Sequence, residues 1–168
     1  MPRYITVIAL SLLTLLLPAV GTAATPQTII GKVVGVHDGD TLTLLDDSKR
    51  QIKIRLAEID APESRQPYGS RAKQELSGLA FGRPATVQVQ DIDRYGRTVG
   101  RITVDRVDVN AAMVRRGAAW VYRKYVKDQS LFTIEKQARD AKAGLWALPE
   151  ADRIPPWEWR KMGKTRTK

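Results

Sequence analysis

The 168-residue chain has no cysteine and one histidine. Disulfides, thiol nucleophiles and thiolate metal sites are therefore excluded, and a histidine-rich zinc site or histidine-based triad has almost nothing to draw on. Aromatic residues make up only 7%. Beyond the first 24 residues no apolar run is long enough to span a bilayer. There is no internal repeat and no low-complexity linker. Any catalysis must rest on carboxylates, Arg or Lys, hydroxyls, or a hard cation held by oxygen. What the chain has in excess is positive charge: 28 Lys and Arg against 18 Asp and Glu, a formal +10. That balance points to a polyanionic partner.

Residues 1–24 read as a secretory leader. Arg3 supplies a positive start, Ile5–Leu17 is apolar, and Thr22-Ala23-Ala24 offers the small residues at which signal peptidase cuts. The mature chain is then expected to be secreted or periplasmic, with no stable membrane association after cleavage. Residues 25–155 are expected to form one domain, and 156–168 a basic C-terminal tail.

Within the domain the hydrophobic period predicts strands over 28–36, 41–45 and 50–59, with Asp46-Asp47-Ser48-Lys49 turning the second into the third. A helix follows over 70–80, then strands over 85–90 and 98–104, and helices over 107–116 and 130–142. In the last of these, Leu131, Ile134, Ala138, Ala141 and Leu145 form one stripe. Five strands with interposed helices predict an α+β fold: a five-stranded OB-type β-barrel with about three packed helices.

Three clusters carry chemistry. Asp38-Gly39-Asp40-Thr41 opens the second strand. Arg55-Leu56-Ala57-Glu58-Ile59-Asp60-Ala61-Pro62-Glu63 leaves the third. Asp93-Arg94-Tyr95-Gly96-Arg97 links the fourth and fifth. Singly, each is ordinary turn chemistry, with Asp bonding its own backbone and Gly free to take positive φ. Together they say more. The hairpin turn at 46–49 places Asp40 and Asp60 at the same open end, and two converging carboxylates suit a hard divalent cation, Ca²⁺ or Mg²⁺. Arg55 and Arg97 add planar forks for phosphate oxygens, and Glu63 adds a carboxylate free to accept a proton. A metal, two guanidinium groups and a free carboxylate are the requirements of phosphodiester hydrolysis.

Asp-Gly-Asp-Thr, then Arg-x4-Asp-x-Pro-Glu, then Asp-x-Tyr-Gly-Arg, in that order, resembles staphylococcal nuclease, the thermonuclease family, from about Gly31 to Trp146. The resemblance implies that Asp40, Asp60 and the backbone carbonyl of Ala61 bind Ca²⁺. It implies that Arg55, Glu63 and Arg97 are catalytic, and that DNA and RNA are cleaved to leave 3′-phosphate ends by a monomer. Ala61 stands where the family prototype has Thr; the carbonyl survives that change and a hydroxyl is lost. Tyr122 and Tyr125 fall in the region of the prototype's nucleotide pocket, within a strip where aromatic and basic residues alternate, as suits stacked bases and phosphates. Trp120 is expected in the core, His37 at a strand end, and Asp38 either in a turn or in the metal's outer shell. The alternative function is a non-catalytic nucleic-acid-binding OB module. Retention of Asp40, Arg55, Asp60, Glu63 and Arg97 favours the enzyme.

Overall fold

The computed structural model describes residues 27–165; the expected leader at 1–24 lies outside them. The alternating apolar residues of the first half form β1 (Thr28–Val36), β2 (Thr41–Asp46) and β3 (Gln51–Leu56). Asp46 makes the β2–β3 turn. Its Oδ1 accepts the Arg50 amide at 2.9 Å and its Oδ2 accepts the Arg50 side chain, while Lys49 takes φ 61° between them. After the short β4 (Ile59–Asp60) come α1 (Gly69–Ala80), β5 (Pro84–Ile92), β6 (Thr98–Val104), β7 (Val107–Asp108), α2 (Val109–Arg115), β8 (Trp120–Val121) and α3 (Ser130–Asp140).

The large sheet runs β3-β2-β1-β5-β6-β7, antiparallel throughout, and β3 pairs in parallel with β6 to close the barrel. Irregular register between Val33 and Gly35 and between Val89 and Asp91 gives the bends that closure needs. Val33, Leu42, Leu44, Ile54, Leu56, Val87 and Ile102 fill the interior. Helix α1 covers it with Ala72, Leu76, Leu79 and Ala80, one face of a 3.6-residue period. Helix α2 starts where Asp108 accepts the Ala111 amide at 2.9 Å, a side-chain cap. This is the expected α+β barrel with packed helices.

Three features depart from the sequence reading. The third strand stops at Leu56 instead of 59, because Glu58 takes φ 68° and turns the chain, so that Ile59 and Asp60 leave the barrel and pair with Val121 and Trp120. On α3 the buried face is Leu131, Glu135 and Ala138, with Ala141 exposed. Glu135 is buried because its carboxylate accepts the Val121 amide at 2.9 Å and pairs with Arg139 at 3.1 Å. Most consequentially, the expected basic tail is not a tail over 156–165. That segment is a fourth helix, α4 (Pro156–Thr165), one more than the three anticipated. Pro156 suits the first turn of a helix, and Trp157 anchors it by packing on Trp120 and Tyr122.

Candidate active site

Asp40 is set by the hairpin mouth. Its backbone carbonyl accepts the Leu56 amide at 2.8 Å, which joins the start of β2 to the end of β3. Gly39 beside it has no positive φ; its constraint is space, since a Cβ there would lie 2.6 Å from the Ala61 Cβ and 2.7 Å from the Ala72 Cβ. The Asp40 carboxylate is buried, accepting the Thr41 hydroxyl at 3.1 Å on Oδ1 and the Ala61 amide at 2.7 Å on Oδ2. Burial pushes its pKa up to about 7. The neighbouring charges of Asp38 and Asp60 add to the rise, while Arg55 and the Ala61 amide oppose it.

Arg55 ties this carboxylate to the next. Its guanidinium stands 3.2 Å from Asp40 Oδ2 and 2.9 Å from Asp60 Oδ1, and Nη1 donates to the carbonyls of Leu56 (2.9 Å) and Ile59 (3.0 Å). One planar fork therefore holds two carboxylates and the turn between them. Asp60 is 1% exposed and is fixed from the other side by the β4–β8 pairing.

Glu63 follows at the end of the Asp60-Ala61-Pro62 turn. Its amide donates to Gln66 Oε1 at 3.1 Å, and its carbonyl accepts the Gln66 amide at 2.8 Å. The Glu63 side chain is 40% exposed, open to water. It lies beside Asp60, as their shared partner shows: Arg160, from α4, contacts Glu63 Oε1 at 2.6 Å and Asp60 Oδ2 at 2.6 Å. Burial alone would lower the Arg160 pKa; the hydrogen bonds and charges of Asp60 and Glu63 outweigh it and drive it upward.

Asp40, Arg55, Asp60 and Glu63 are thus brought together, with Ala61 against Asp40 through its amide. Arg97 is not in this chain of contacts. It sits one residue before β6, where Asp93 holds its guanidinium at 2.7 Å and the ring of Tyr95 lies beneath it at 5.5 Å. Burial would raise the Asp93 pKa, but the amides of Arg97 and Tyr95 and the Arg97 guanidinium together lower it. β6 runs parallel to β3 with Val99 opposite Arg55, so Arg97 lies two residues before the position paired with Arg55. Tyr122 and Tyr125 pack edge to face, centroids 4.9 Å apart, just beyond β8. Trp120 is buried. His37 is exposed and bonds Thr43 Oγ1 at 2.8 Å, while Asp38 accepts the Asp40 amide at 3.0 Å as a turn residue.

Three residues of the region, Arg160, Gln66 and Glu58, were not singled out by the sequence reading, whereas Trp157 was expected to pack the C-terminal segment onto the barrel and does so. Arg160 and Trp157 lie on α4. Gln66 is buried and donates through Nε2 to the Ile154 carbonyl, fastening the chain ahead of α4 to the Glu63 turn. Glu58, also buried, accepts the amides of Lys127 (2.6 Å) and Asp128 (2.9 Å) and pairs with Arg101 at 3.0 Å, so it holds the loop that carries Tyr122 and Tyr125. For Arg160 the signal was available: Pro156 and two tryptophans mark a packed helix, and Arg160 follows Trp157 by three residues, on the same face.

The donor set bears on a metal. Among the described residues no three acidic or histidine side chains converge as a ready ligand set. What is present is all oxygen: the Asp40 and Asp60 carboxylates, with Glu63 next to Asp60. Such donors fit a hard cation and no soft one. A positive group already stands in for it, since the Arg160 guanidinium bridges Asp60 and Glu63.

Comparison with known proteins gives a consistent family result. Residues 53–148 match the family described as staphylococcal nuclease homologue. The chain is 42% identical over 148 residues to the micrococcal nuclease of Shigella flexneri, covering 82% of this chain and 83% of that one. It is 45% identical over 133 residues to an uncharacterized endonuclease of Escherichia coli O157:H7, covering 79% and 85%. It is 42% identical over 147 residues to the protein ParB of Escherichia coli, covering 81% of each.

Proposed function

Because this chain belongs to the staphylococcal nuclease family and is a nuclease, a hydrolase of phosphodiester bonds, we propose that its reaction is calcium-dependent. We propose further that it acts on both DNA and RNA with little regard to sequence, and leaves 3′-phosphate ends. The observation that carries this reading is that one half-buried guanidinium, Arg55, bridges two buried carboxylates, Asp40 and Asp60, with the open carboxylate of Glu63 adjoining.

Asp40, Asp60 and the carbonyl of Ala61 would hold the ion. Bound calcium supplies Lewis acidity toward a phosphoryl oxygen. The chain's own groups do the rest. Glu63, exposed to solvent, accepts a proton from the attacking water. As that oxygen bonds to phosphorus, the bond to the 5′ oxygen breaks, the departing oxygen takes a proton from solvent water, and Glu63 returns its own to solvent. Arg55 and Arg97 hold charge that builds on the phosphoryl oxygens; Arg97 exchanges Asp93 for phosphate as it does so. Tyr122 and Tyr125 receive a base.

Sequence tolerance follows from recognition by phosphate and stacking contacts instead of base edges. The net charge of +10 draws the polyanion in and makes its binding sensitive to salt. We also propose that residues 1–24 direct the chain to the periplasm or medium, and that it acts there as a monomer. Calcium should support cleavage of DNA and RNA by the purified mature chain, with 3′-phosphates at the new ends. Hydrolysis that persists in excess chelator would reject the metal, and 5′-phosphate ends would reject the bond assignment.

A further inference from the structure

We infer that α4 is a built-in occupant of the active centre, and that the Arg160 guanidinium and a divalent cation exclude one another there. This rests on the calcium reading above. Arg160 does not brush the site at its edge. Nη2 contacts Asp60 Oδ2 at 2.6 Å, while Nη1 contacts Asp60 Oδ1 at 3.3 Å and Glu63 Oε1 at 2.6 Å. Both Asp60 oxygens therefore have guanidinium donors: Oδ1 from Arg55 and Arg160, Oδ2 from Arg160. A cation of charge two taking Asp60 as a ligand would meet a fixed positive group on the same oxygens. Two cations sharing one carboxylate at contact distance repel strongly in a partly buried site.

A second contact comes from the same helix. The ring of Trp157 stacks on Tyr122, centroids 5.4 Å apart and planes within 2°. A base taken up by Tyr122 would need that ring face. Trp157 and Arg160 are three residues apart, so one helix face presents an aromatic plane to the tyrosine and a charge to the carboxylates. The helix is held further by Trp157 edge-on to Trp120 at 6.0 Å and by the bond from Gln66 to the Ile154 carbonyl just ahead of it. Between α4 and the Glu63 turn lies an open hollow of about 330 Å³ lined by Glu63, Ser64, Arg65, Trp159 and Arg160.

The consequence is a lowered apparent affinity for the cation: when only a fraction of molecules has the site open, the dissociation constant rises by the inverse of that fraction. The test is calorimetric titration of Ca²⁺ into the full mature chain without nucleic acid. The proteins compared are the wild type, Arg160→Gln, Arg160→Lys and, as a charge control in the same turn, Arg65→Gln. Arg160→Gln is expected to bind Ca²⁺ at least about tenfold more tightly, Arg160→Lys to fall between it and wild type, and Arg65→Gln to match wild type. In parallel, Ca²⁺ is expected to speed hydrogen exchange over 156–163 in the wild type. Equal affinity in wild type and Arg160→Gln overturns the inference while leaving the calcium reading standing. So does equal tightening in Arg65→Gln, or unchanged exchange over α4. Absence of Ca²⁺ binding in every variant overturns both.

Discussion

Nη2 of Arg55 stands 2.9 Å from Oδ1 of Asp60, and the same guanidinium donates to the carbonyl of Ile59, the residue just before it. The pair therefore sets charge and backbone together. Arg55→Ala is expected to lower kcat by on the order of 10²–10³. Arg55→Lys should recover little, because one ammonium cannot match the fork that spans Asp40, Asp60 and the turn. Steady-state kinetics on a defined oligonucleotide checks both, and near-wild-type turnover in the Lys variant would reject the geometric role.

Glu63→Gln tests the proton acceptor. The side chain is 40% exposed, so the fold should survive with an unchanged urea midpoint. Turnover should fall by roughly 10²–10⁴. A variant that cleaves at the wild-type rate removes Glu63 from the chemistry.

Glu58→Gln should act on stability. The carboxylate is buried and answers Arg101 and two backbone amides at once. Removing its charge leaves Arg101 less well partnered and costs about 3 kcal/mol, read from urea unfolding. The 122–128 loop should also loosen, visible as a weaker KM for substrate with a smaller change in kcat.

Gly39→Ala should strain the hairpin mouth. The new methyl would meet those of Ala61 and Ala72 at under 3 Å, and neither can rotate away. A loss of about 1–3 kcal/mol is expected, with activity falling further than stability because Asp40 is the next residue.

The pH dependence follows from Asp40, whose pKa in the folded chain is pushed up from 3.8 to about 7 by burial. A raised folded value means that the folded state holds the proton more tightly than the unfolded one. That contribution to stability is full below pH 3.8 and is lost as pH rises through 7. Without calcium, the melting temperature should therefore decline from pH 5 to pH 8, and Asp40→Asn should flatten the decline. On the calcium reading proposed above, the ion competes for the same carboxylate, so its affinity should rise with pH up to about 7 and then level off. An affinity independent of pH across that range would contradict the assignment.

Much of this molecule was legible in its residues. Alternation and turn chemistry located the five barrel strands and α1–α3. The 46–49 turn was enough to place Asp40 and Asp60 at one mouth, because a hairpin fixes register. Other features were decided by tertiary contact. No local pattern says that Glu58 takes a left-handed turn; it does so because Arg101 and the 127–128 amides, far along the chain, satisfy its carboxylate. Gly39 looked like a residue needing freedom of φ and proved to need closeness instead. The basic run at the C-terminus read as a solvated tail because charge count hid the helical spacing of Trp157 and Arg160.

The closing of the barrel by β3 against β6 has a bearing on biosynthesis. Asp40, Arg55, Asp60 and Glu63 are all translated early, yet the strand that closes the barrel beside Arg55 ends at Val104, and β8, which pins Asp60, spans residues 120–121. Contacts this distant in sequence form late. A nascent chain thus carries these four groups without a working centre, and a cell making this enzyme is not exposed to its activity until the polypeptide is nearly complete.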